Sequence, residues 1–480
     1  MSTITIFWIA LPFLAGFIIY LFPKIDRYLA LSVPLVSLGY ALQLFTEKSP
    51  ITLQLLDNFG VILVADQLSG YFILTNALVT AAVIFYCWNT NKSAFFYTQA
   101  TILHGSLNSA FICADFMSLY VALEVIGIAA FLLIAYPRTD RSIWVGLRYL
   151  FVSNVALLFY LIGTVLVYKA HNSFSFAGLR DAPPEALALI FLGLLTKGGI
   201  FVSGLWLPLT HSESETPVSA MMSGIVVKAG VYPLVRCALM VPEVDPLVRV
   251  FGVGTALLGV FYAVFEKDTK RMLAFHTVSQ LGFVLAAPVV GGFYALTHGL
   301  VKSTLFLIAG SLPSRNFKEL QHQPISTPIW IALVIASFSI SGFPLLSGFG
   351  AKVLTSKNFL PWQTIVMNIA ALGTAISFAK FIFLPRGNSE SHVQRGFWAA
   401  VIMLIGGLFL ANIVYYEAYT IENIIKPLVT IAIGWLVYLL IIKHITLKLP
   451  RTLERFEHLI GVMSLILVFL FWKGFAWLGI

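Results

Sequence analysis

A polytopic bundle of membrane-crossing α-helices is the all-α fold that this sequence predicts, and three observations predict it. Of the 480 residues, 59% are hydrophobic and only 11% are charged. The mean hydropathy is +0.91, far above that of a chain that folds in water. Apolar runs of about 20 residues, enough for a helix to cross ~30 Å of hydrocarbon, recur from "TITIFWIALPFLAGFIIYLF" to "LIGVMSLILVFLFW". They number roughly 14–16, with short loops blurring their limits. A closed β-barrel is excluded, because it would show short alternating segments in place of continuous runs.

Taken in chain order, the first run has only Ser and Thr before it, with no basic region and no small-residue cleavage site, so it reads as a retained span. The polar gaps near 46–60, 169–185 and 313–326 are too short to hold a second core. No phosphate loop or dinucleotide fingerprint is present, no nucleophile–base pair stands out, and no cofactor is expected. Any redox or nucleotide-driven step therefore belongs to partner subunits. Cys87, Cys113 and Cys237 are scattered without ligand spacing, which argues against a disulfide framework, an iron–sulfur cluster or a structural zinc. The net charge of +9 points to topology and away from nucleic acid. With an outward N-terminus the loops holding Lys24, Arg27, Lys92, Arg138, Arg141, Arg148, Lys267, Lys270, Arg271, Arg315, Lys318, Arg386, Arg395, Lys443, Lys448, Arg451 and Arg455 are cytoplasmic, as the positive-inside rule asks.

Four cations interrupt the apolar runs: Lys197, Lys228, Lys302 and Lys380. Each costs about 2.5–3.5 kcal/mol at the bilayer centre on insertion scales. For Lys302 and Lys380 snorkelling to an interface is the plain alternative. Glu124, nine residues after Asp115, is the one acid clearly inside a run; it serves either as a static counter-ion or as a gate. One carboxylate cannot neutralise four lysines. The others must be solvated by internal water or lose their protons, and a lysine poised to do so is a proton carrier. His276 and His298 lie in neighbouring apolar segments, and His298 shares a helix face with Lys302 four residues on. Neutral imidazole relays protons, although a buried histidine is as often a satisfied anchor, the reading preferred for His104.

Two polar, proline-bearing stretches mark helix breaks. The first, "SGLWLPLTHSESETP", holds Pro208, His211, Glu213, Glu215 and Pro217; the second, "SISGFPLLSGFGAK", holds Pro344. Irregular backbone at membrane depth is tolerated where it lines a protein-enclosed or watered cavity, and paired breaks point to repeats around a midplane pathway. Ser203-Gly204 and Ser341-Gly342, each followed by an aromatic residue and a Pro-Leu pair, suggest duplication.

The ordered motifs "VADQLSGYF", "DFMSLYVALEVIGI", "LTKGGIFVSGLWLPLTHSESETPVSA", "SGIVVKAGVYPLVR", "DTKRMLAFHTVSQLGF", "THGLVKSTLFLIAG" and "SGFPLLSGFGAK", with a late lysine, span about residues 60–390. In them the chain resembles the proton-conducting transporters that include the large subunits of Mrp-type sodium/proton antiporters and the antiporter-like subunits of respiratory complex I. The resemblance implies two inverted five-helix repeats, each with a discontinuous helix, around a hydrophilic axis. The expected division is N-terminal helices 1–92, half-channel repeats 93–240 and 241–390, and C-terminal helices 391–480. By position Glu124 looks like the family's paired glutamate, Lys197 its partner, Lys228 the central lysine and Lys380 the lysine ending the second half-channel. His298 and Lys302 match a His-x-x-x-Lys pattern, and His276 falls where members vary. The chain departs from the family pattern at Leu209 and at Ser214-Glu215, which alters the mouth of the first half-channel. It has no length for a long lateral helix, and no motif marks 425–447 or 457–478.

The resemblance implies an ion-translocating subunit of a multisubunit cation/proton antiporter in a bacterial plasma membrane, with membrane subunits as partners and protons and sodium as ions. The alternative is a pump subunit of a complex I-type oxidoreductase or membrane-bound hydrogenase. A purely structural scaffold would not need the intramembrane lysines.

Overall fold

The computed structural model describes residues 2–56, 60–387, 393, 395–445, 447 and 449–477; Lys448 and the boundary expected at 390–391 lie outside the described residues. Helix α1 (Ser2–Leu21) turns at Pro23 into α2 (Asp26–Thr46). A short antiparallel ribbon, β1 (Ile51–Gln54) with β2 (Ile62–Ala65), occupies the first polar gap and pairs Ile51 with Ala65. Four helices follow: α3 (Gln67–Cys87), α4 (Ala94–Ala110), α5 (Phe116–Ile134) and α6 (Asp140–His171). Three of them start the same way. The side chains of Asp66, Asp115 and Thr139 accept the N–H groups of Ser69, Ser118 and Ser142, three residues on, which satisfies donors that a helix start leaves open.

The next leg is interrupted. Helix α7 (Pro184–Gly198) gives way to a 3-10 run, Phe201–Trp206, before α8 (Leu207–Glu213). The return leg is α9 (Thr216–Met221), a π turn at Met222–Val226 and α10 (Lys228–Met240). Then come α11 (Asp245–Phe265), α12 (Thr269–Ala286) and α13 (Gly291–Ala309). Helices α11 and α12 meet backbone to backbone, since a Cβ added at Gly259 would lie 2.4 Å from the Ser279 nitrogen and one at Gly282 2.4 Å from that of Ala256. Small residues at such crossings let membrane helices gain dispersion contact. A surface segment holds α14 (Phe317–Leu320) and β3 (Ile325–Ser326). A second interrupted leg, α15 (Thr327–Ser341) and α16 (Ser347–Lys357), precedes α17 (Pro361–Ile382), after which β4 (Arg386–Gly387) pairs in parallel with β3. Helices α18 (Arg395–Ile413), α19 (Ile421–Leu440) and α20 (Phe456–Trp477) complete the described chain.

Among the described residues 12 helical stretches are long and apolar enough to cross a membrane. Four more legs fall short for local reasons: α4 has 17 residues, α12 carries Lys270, Arg271, His276 and Gln280, α15 stops after 15 residues, and the apolar part of α20 ends at Trp472. With these, the bundle reaches the upper end of the range that the sequence suggests. The chain is an integral multi-pass membrane protein. Helices α12 and α13 are buried along their whole length, as is α10 but for its last turns, whereas α19 shows lipid most of its surface. The central three carry Lys228, His276, His298 and Lys302.

One end of the bundle is rich in ion pairs. Lys92 meets Glu215 at 2.6 Å, Arg141 meets Glu213 at 3.1 Å, and Arg315 meets Asp268 at 2.9 Å. Arg271 joins Glu266 at 3.1 Å and Glu454 at 2.7 Å. Burial pushes the Glu266 carboxyl up, but the Arg271 guanidinium and the backbone N–H groups of Lys267 and Asp268 hold it below the usual range. Residues 451–455 lie at this face, between α19, which rests on α17, and α20, which rests on α7 and the 3-10 run.

At the opposite end Asp66 ties α3 to α10 through both Arg236 nitrogens, at 2.5 and 2.8 Å. Burial raises the Asp66 pKa, yet the Arg236 pair and the Ser69 N–H together hold it below its ordinary 3.8. The stability it contributes is full above that ordinary value and is lost as pH falls through the lowered one. Replacing Arg236 with Met leaves a partly buried carboxylate alone and should cost on the order of 3 kcal/mol. A thermal unfolding midpoint in detergent at neutral pH that equals the wild type would show that the pair carries no such tie.

Candidate functional site

Both interrupted legs break by the same local device. Gly199 caps α7 in the left-handed region at φ 69°, and Gly342 caps α15 at φ 86°. In each case the next residue closes the turn on a carbonyl five back, Ile200 to Leu195 at 2.8 Å and Phe343 to Phe338 at 2.9 Å. This is the usual glycine stop of a helix. The glycine equivalent to Gly342 is therefore Gly199, not the Gly204 suggested by the Ser-Gly match. Gly204 lies inside the 3-10 run, where an added Cβ would sit 2.1 Å from the Gly199 oxygen. Pro208 and Pro217 start α8 and α9, where a missing N–H costs nothing, and Pro344 sits in the second break itself.

Lys197 and Lys228 stand beside irregular backbone. Lys197, one turn before its break, donates to the Ser153 hydroxyl at 2.7 Å and lies over the Tyr149 ring at 5.6 Å. Gly127 on α5 admits it, since a Cβ there would stand 3.1 Å from the ammonium nitrogen. Lys228 follows the π turn and donates to the Gly224 carbonyl that the turn leaves open. Helices α7 and α10 touch just beyond these lysines, where a Cβ on Gly230 would lie 2.3 Å from the Gly198 nitrogen. Lys302 donates to the Leu273 carbonyl on α12 at 2.5 Å. All three lysines are 3% exposed or less, so none snorkels to water.

His298 lies within electrostatic reach of both Lys228 and Lys302, and His276 within reach of Lys302, Lys352 and Lys380. Neither ring makes a hydrogen bond through either nitrogen, nor does that of His211, which faces Phe306 on α13 with ring centroids 6.0 Å apart. Buried polar atoms without protein partners are where internal water is accommodated. The line continues through polar contacts among the π turn, α12 and α13: Ser223 with Thr277 at 2.6 Å, and Tyr294 with Gln280 at 2.6 Å. His104 is different. Its ring bonds Ser37, Thr80 and Asn108 in a closed network of α2, α3 and α4.

Glu124 is half-buried on α5, within electrostatic reach of Lys197 and of Tyr120 one turn earlier. No ion pair within 4.0 Å joins it to Lys197 among the described residues. Glu213 and Glu215 are engaged with Arg141 and Lys92 at the charged face. Lys380 lies near that face as well, donating to the Glu266 carbonyl at 2.8 Å and the Ala263 carbonyl at 3.2 Å, so it also closes the end of α11.

Lys352 escapes the sequence reading. It stands on α16 five residues into the helix, its stem against Gly342 and its ammonium over the Phe283 ring at 5.7 Å with no hydrogen-bond acceptor. The signal was present in "SGFGAK", but the polar residues of α16 kept it out of any apolar run. A cavity of about 370 Å³ reaches Lys352 from the end opposite the charged face, lined by Ser341, Asn368, Glu422 and Lys426. Lys352 brings the enclosed lysines along this axis to the second break.

The family described as "NADH:quinone oxidoreductase/Mrp antiporter, TM" matches residues 113–377. The chain is 27% identical over 442 residues to the D-type subunit of the Na(+)/H(+) antiporter of Alkalihalophilus pseudofirmus, covering 82% of this chain and 89% of that protein. It is 31% identical over 363 residues to the N-type subunit of the NADH-quinone oxidoreductase of Desulforudis audaxviator, covering 68% and 72%. Its fold is similar to a chain of the membrane-bound sulfane sulfur reductase, an archaeal respiratory membrane complex, with a TM-score of 0.77 at 20% identity over 92% of this chain and all of that one. A chain of the Mrp complex from a Dietzia species gives 0.73 at 20% identity over 96% and 99%.

The geometry of the second break sets two substitutions apart by sign. Gly342→Ala forces a Cβ to 2.8 Å from the Lys352 stem at a left-handed φ, costing about 1–2 kcal/mol for the conformation alone. Lys352→Met removes a cation without an acceptor and should hold or raise the thermal midpoint. A midpoint lowered by Lys352→Met would mean that the ammonium has a stabilising partner.

Proposed function

Because the chain belongs to the NADH:quinone oxidoreductase/Mrp antiporter membrane family, we propose that it is an ion-translocating subunit of a multisubunit Mrp-type cation/proton antiporter. The observation that carries this reading is the series Lys197, Lys228, His298, Lys302 and His276, buried in the bundle, with the partly buried Lys352 beyond them, each held by carbonyls and hydroxyls or by no acceptor among the described residues, and together reaching both breaks. A proton handed along it meets at each lysine a group that binds it reversibly, and at each histidine one that accepts on one nitrogen while donating from the other. Water entering at the breaks completes the transfers.

Glu124 is the switch in this reading. Its charge acts on Lys197 across a gap with no direct pair, so movement of α5 or a partner's charge alters how firmly Lys197 holds its proton. Lys380, His211 and Pro344 line the ends and the break in this reading; Pro208, Pro217, Glu213 and Glu215 fix the first interrupted leg at the charged face. The two five-leg repeats are 93–240 and 241–390, a division supported by the interruption falling in the fourth leg of each, α7 with α8 and α15 with α16. Sodium is the exchanged cation in this reading, the membrane a bacterial plasma membrane, and the arginine-rich face cytoplasmic with the N-terminus outside, as the positive-inside rule favours. The partners are the antiporter's other membrane subunits. The 31% identity to a component of an oxidoreductase favours a second reading, a proton pump powered by redox chemistry in its partners. The genes beside this one separate the two: small antiporter subunits for the first, quinone or hydrogenase subunits for the second.

Proton flux in proteoliposomes of the assembled complex, with assembly checked by native gel, tests the mechanism. Lys228→Arg keeps the charge but cannot release a proton near neutral pH, and flux should fall by roughly 100-fold, the scale of lost proton transfer. Glu124→Ala should abolish flux and Glu124→Asp retain part of it. Near-normal flux in assembled Lys228→Arg would overturn the titrating-lysine pathway, and normal flux in Glu124→Ala would remove the gating role.

A further inference from the structure

At the charged face, where α6 begins and 451–457 leads into α20, lies a cavity of about 490 Å³ whose walls include 5 arginines and 2 glutamates. Three of the arginines are spoken for: Arg141 by Glu213, Arg271 by Glu266 and Glu454, and Arg451 by Glu266 at 3.5 Å. The other two are not. Arg148 is 8% exposed, donates through Nη2 to the backbone carbonyl of Glu454, and leaves its Nε without an acceptor. Arg455 has no carboxylate within 4.0 Å among the described residues. Arg148 and Arg455 thus bring to the cavity wall two guanidinium charges that no carboxylate of the described residues pairs, and an oxyanion in the cavity would balance them.

What stands beside the arginines narrows the anion. Trp144 is 48% exposed, with the Arg141 guanidinium over its ring at 5.1 Å and that of Arg148 at 5.7 Å. Tryptophan takes this position at the level of lipid headgroups. One turn and two turns further along α6, Leu147 and Phe151 are each about half exposed, and the Phe151 ring meets that of Phe456 edge-on at 5.0 Å. The site is thus cationic at its head and apolar along the helix below. Free phosphate would use only the first part, and a zwitterionic headgroup would bring its own cation into a basic pocket.

We propose that this cavity binds one anionic phospholipid, its phosphodiester between Arg148 and Arg455, with Arg141, paired to Glu213, adding its charge at the rim, and an acyl chain along Leu147 and Phe151. Basic pockets between helices are a recurrent way of holding such headgroups. Here the bound lipid would join α6 to the start of α20.

The test uses the purified full chain in phosphatidylcholine bilayers doped with phosphatidylglycerol carrying brominated acyl chains, read by quenching of the Trp144 signal, which is the difference from Trp144→Phe. Brominated phosphatidylglycerol should quench at several-fold lower mole fraction than brominated phosphatidylcholine. Each of Arg455→Gln and Arg141→Gln should weaken that preference by about fivefold. Arg148→Gln should do so more strongly, but since it is buried the two more accessible variants keep the test valid if it fails to fold. Equal quenching by both lipids, or a preference unchanged in Arg455→Gln and Arg141→Gln, overturns the site. Displacement by millimolar inorganic phosphate or glycerophosphoglycerol overturns the lipid assignment, because the chains would then contribute nothing.

Discussion

The constraint on which this structure turns is the cost of an ammonium group inside hydrocarbon. The protein does not meet that cost with carboxylates. Lys197 has a serine hydroxyl, Lys228 has the Gly224 carbonyl and, at 3.5 Å, that of Ser223, Lys302 has one backbone carbonyl, and Lys380 has two. A carbonyl accepts from the neutral amine as well as from the ammonium, so such a partner orients the group without fixing its charge, whereas a bonded carboxylate would fix it. The irregular backbone serves this choice only in part: the π turn before Lys228 frees the carbonyl that receives it, whereas Lys302 uses the second lone pair of Leu273, a carbonyl inside regular α12 that also accepts from Thr277.

The glycines serve the same end at close range. Gly127 leaves room for the Lys197 head and Gly342 for the Lys352 stem, while Gly299 on α13 would place a Cβ 3.5 Å from the Lys228 nitrogen and 2.2 Å from Thr75. With so little free space, solvation of each lysine is set by a few named groups. That is why the ion-paired periphery and the unpaired centre are so distinct: Asp66, Glu266 and Glu454 sit in tight pairs with arginine at the ends of helices, and the axis between them holds cations with dipoles alone.

Most of the fold was legible in the sequence because hydrocarbon demands long apolar runs, and the lysines were legible because they interrupt those runs. Lys352 was not, for the same reason inverted: α16 is short and contains Ser347, Thr355, Ser356 and Lys357, so there was no apolar background against which it could stand out. The breaks were found from Pro and Gly, but which glycine matches which depends on the sign of φ, and a Ser-Gly pair looks the same whether its glycine caps a helix or sits in a 3-10 turn. Glu213 and Glu215 looked like a channel mouth because acids beside a break suggest one. Their partners, Arg141 and Lys92, come from other legs and are invisible to local pattern.

No motif marked the last two helices, yet their placement has a consequence for how the protein is made. Helix α20 covers α7 and the adjoining 3-10 run, but the ribosome delivers it only after every other described leg has been translated. Throughout that interval the side of the first break that α20 covers stays open, although α6, α10, α11 and α12 already pack on its other sides. A chain released before α20 therefore leaves that side of the break to lipid, and the last described helix to be translated acts as the seal on the first interruption.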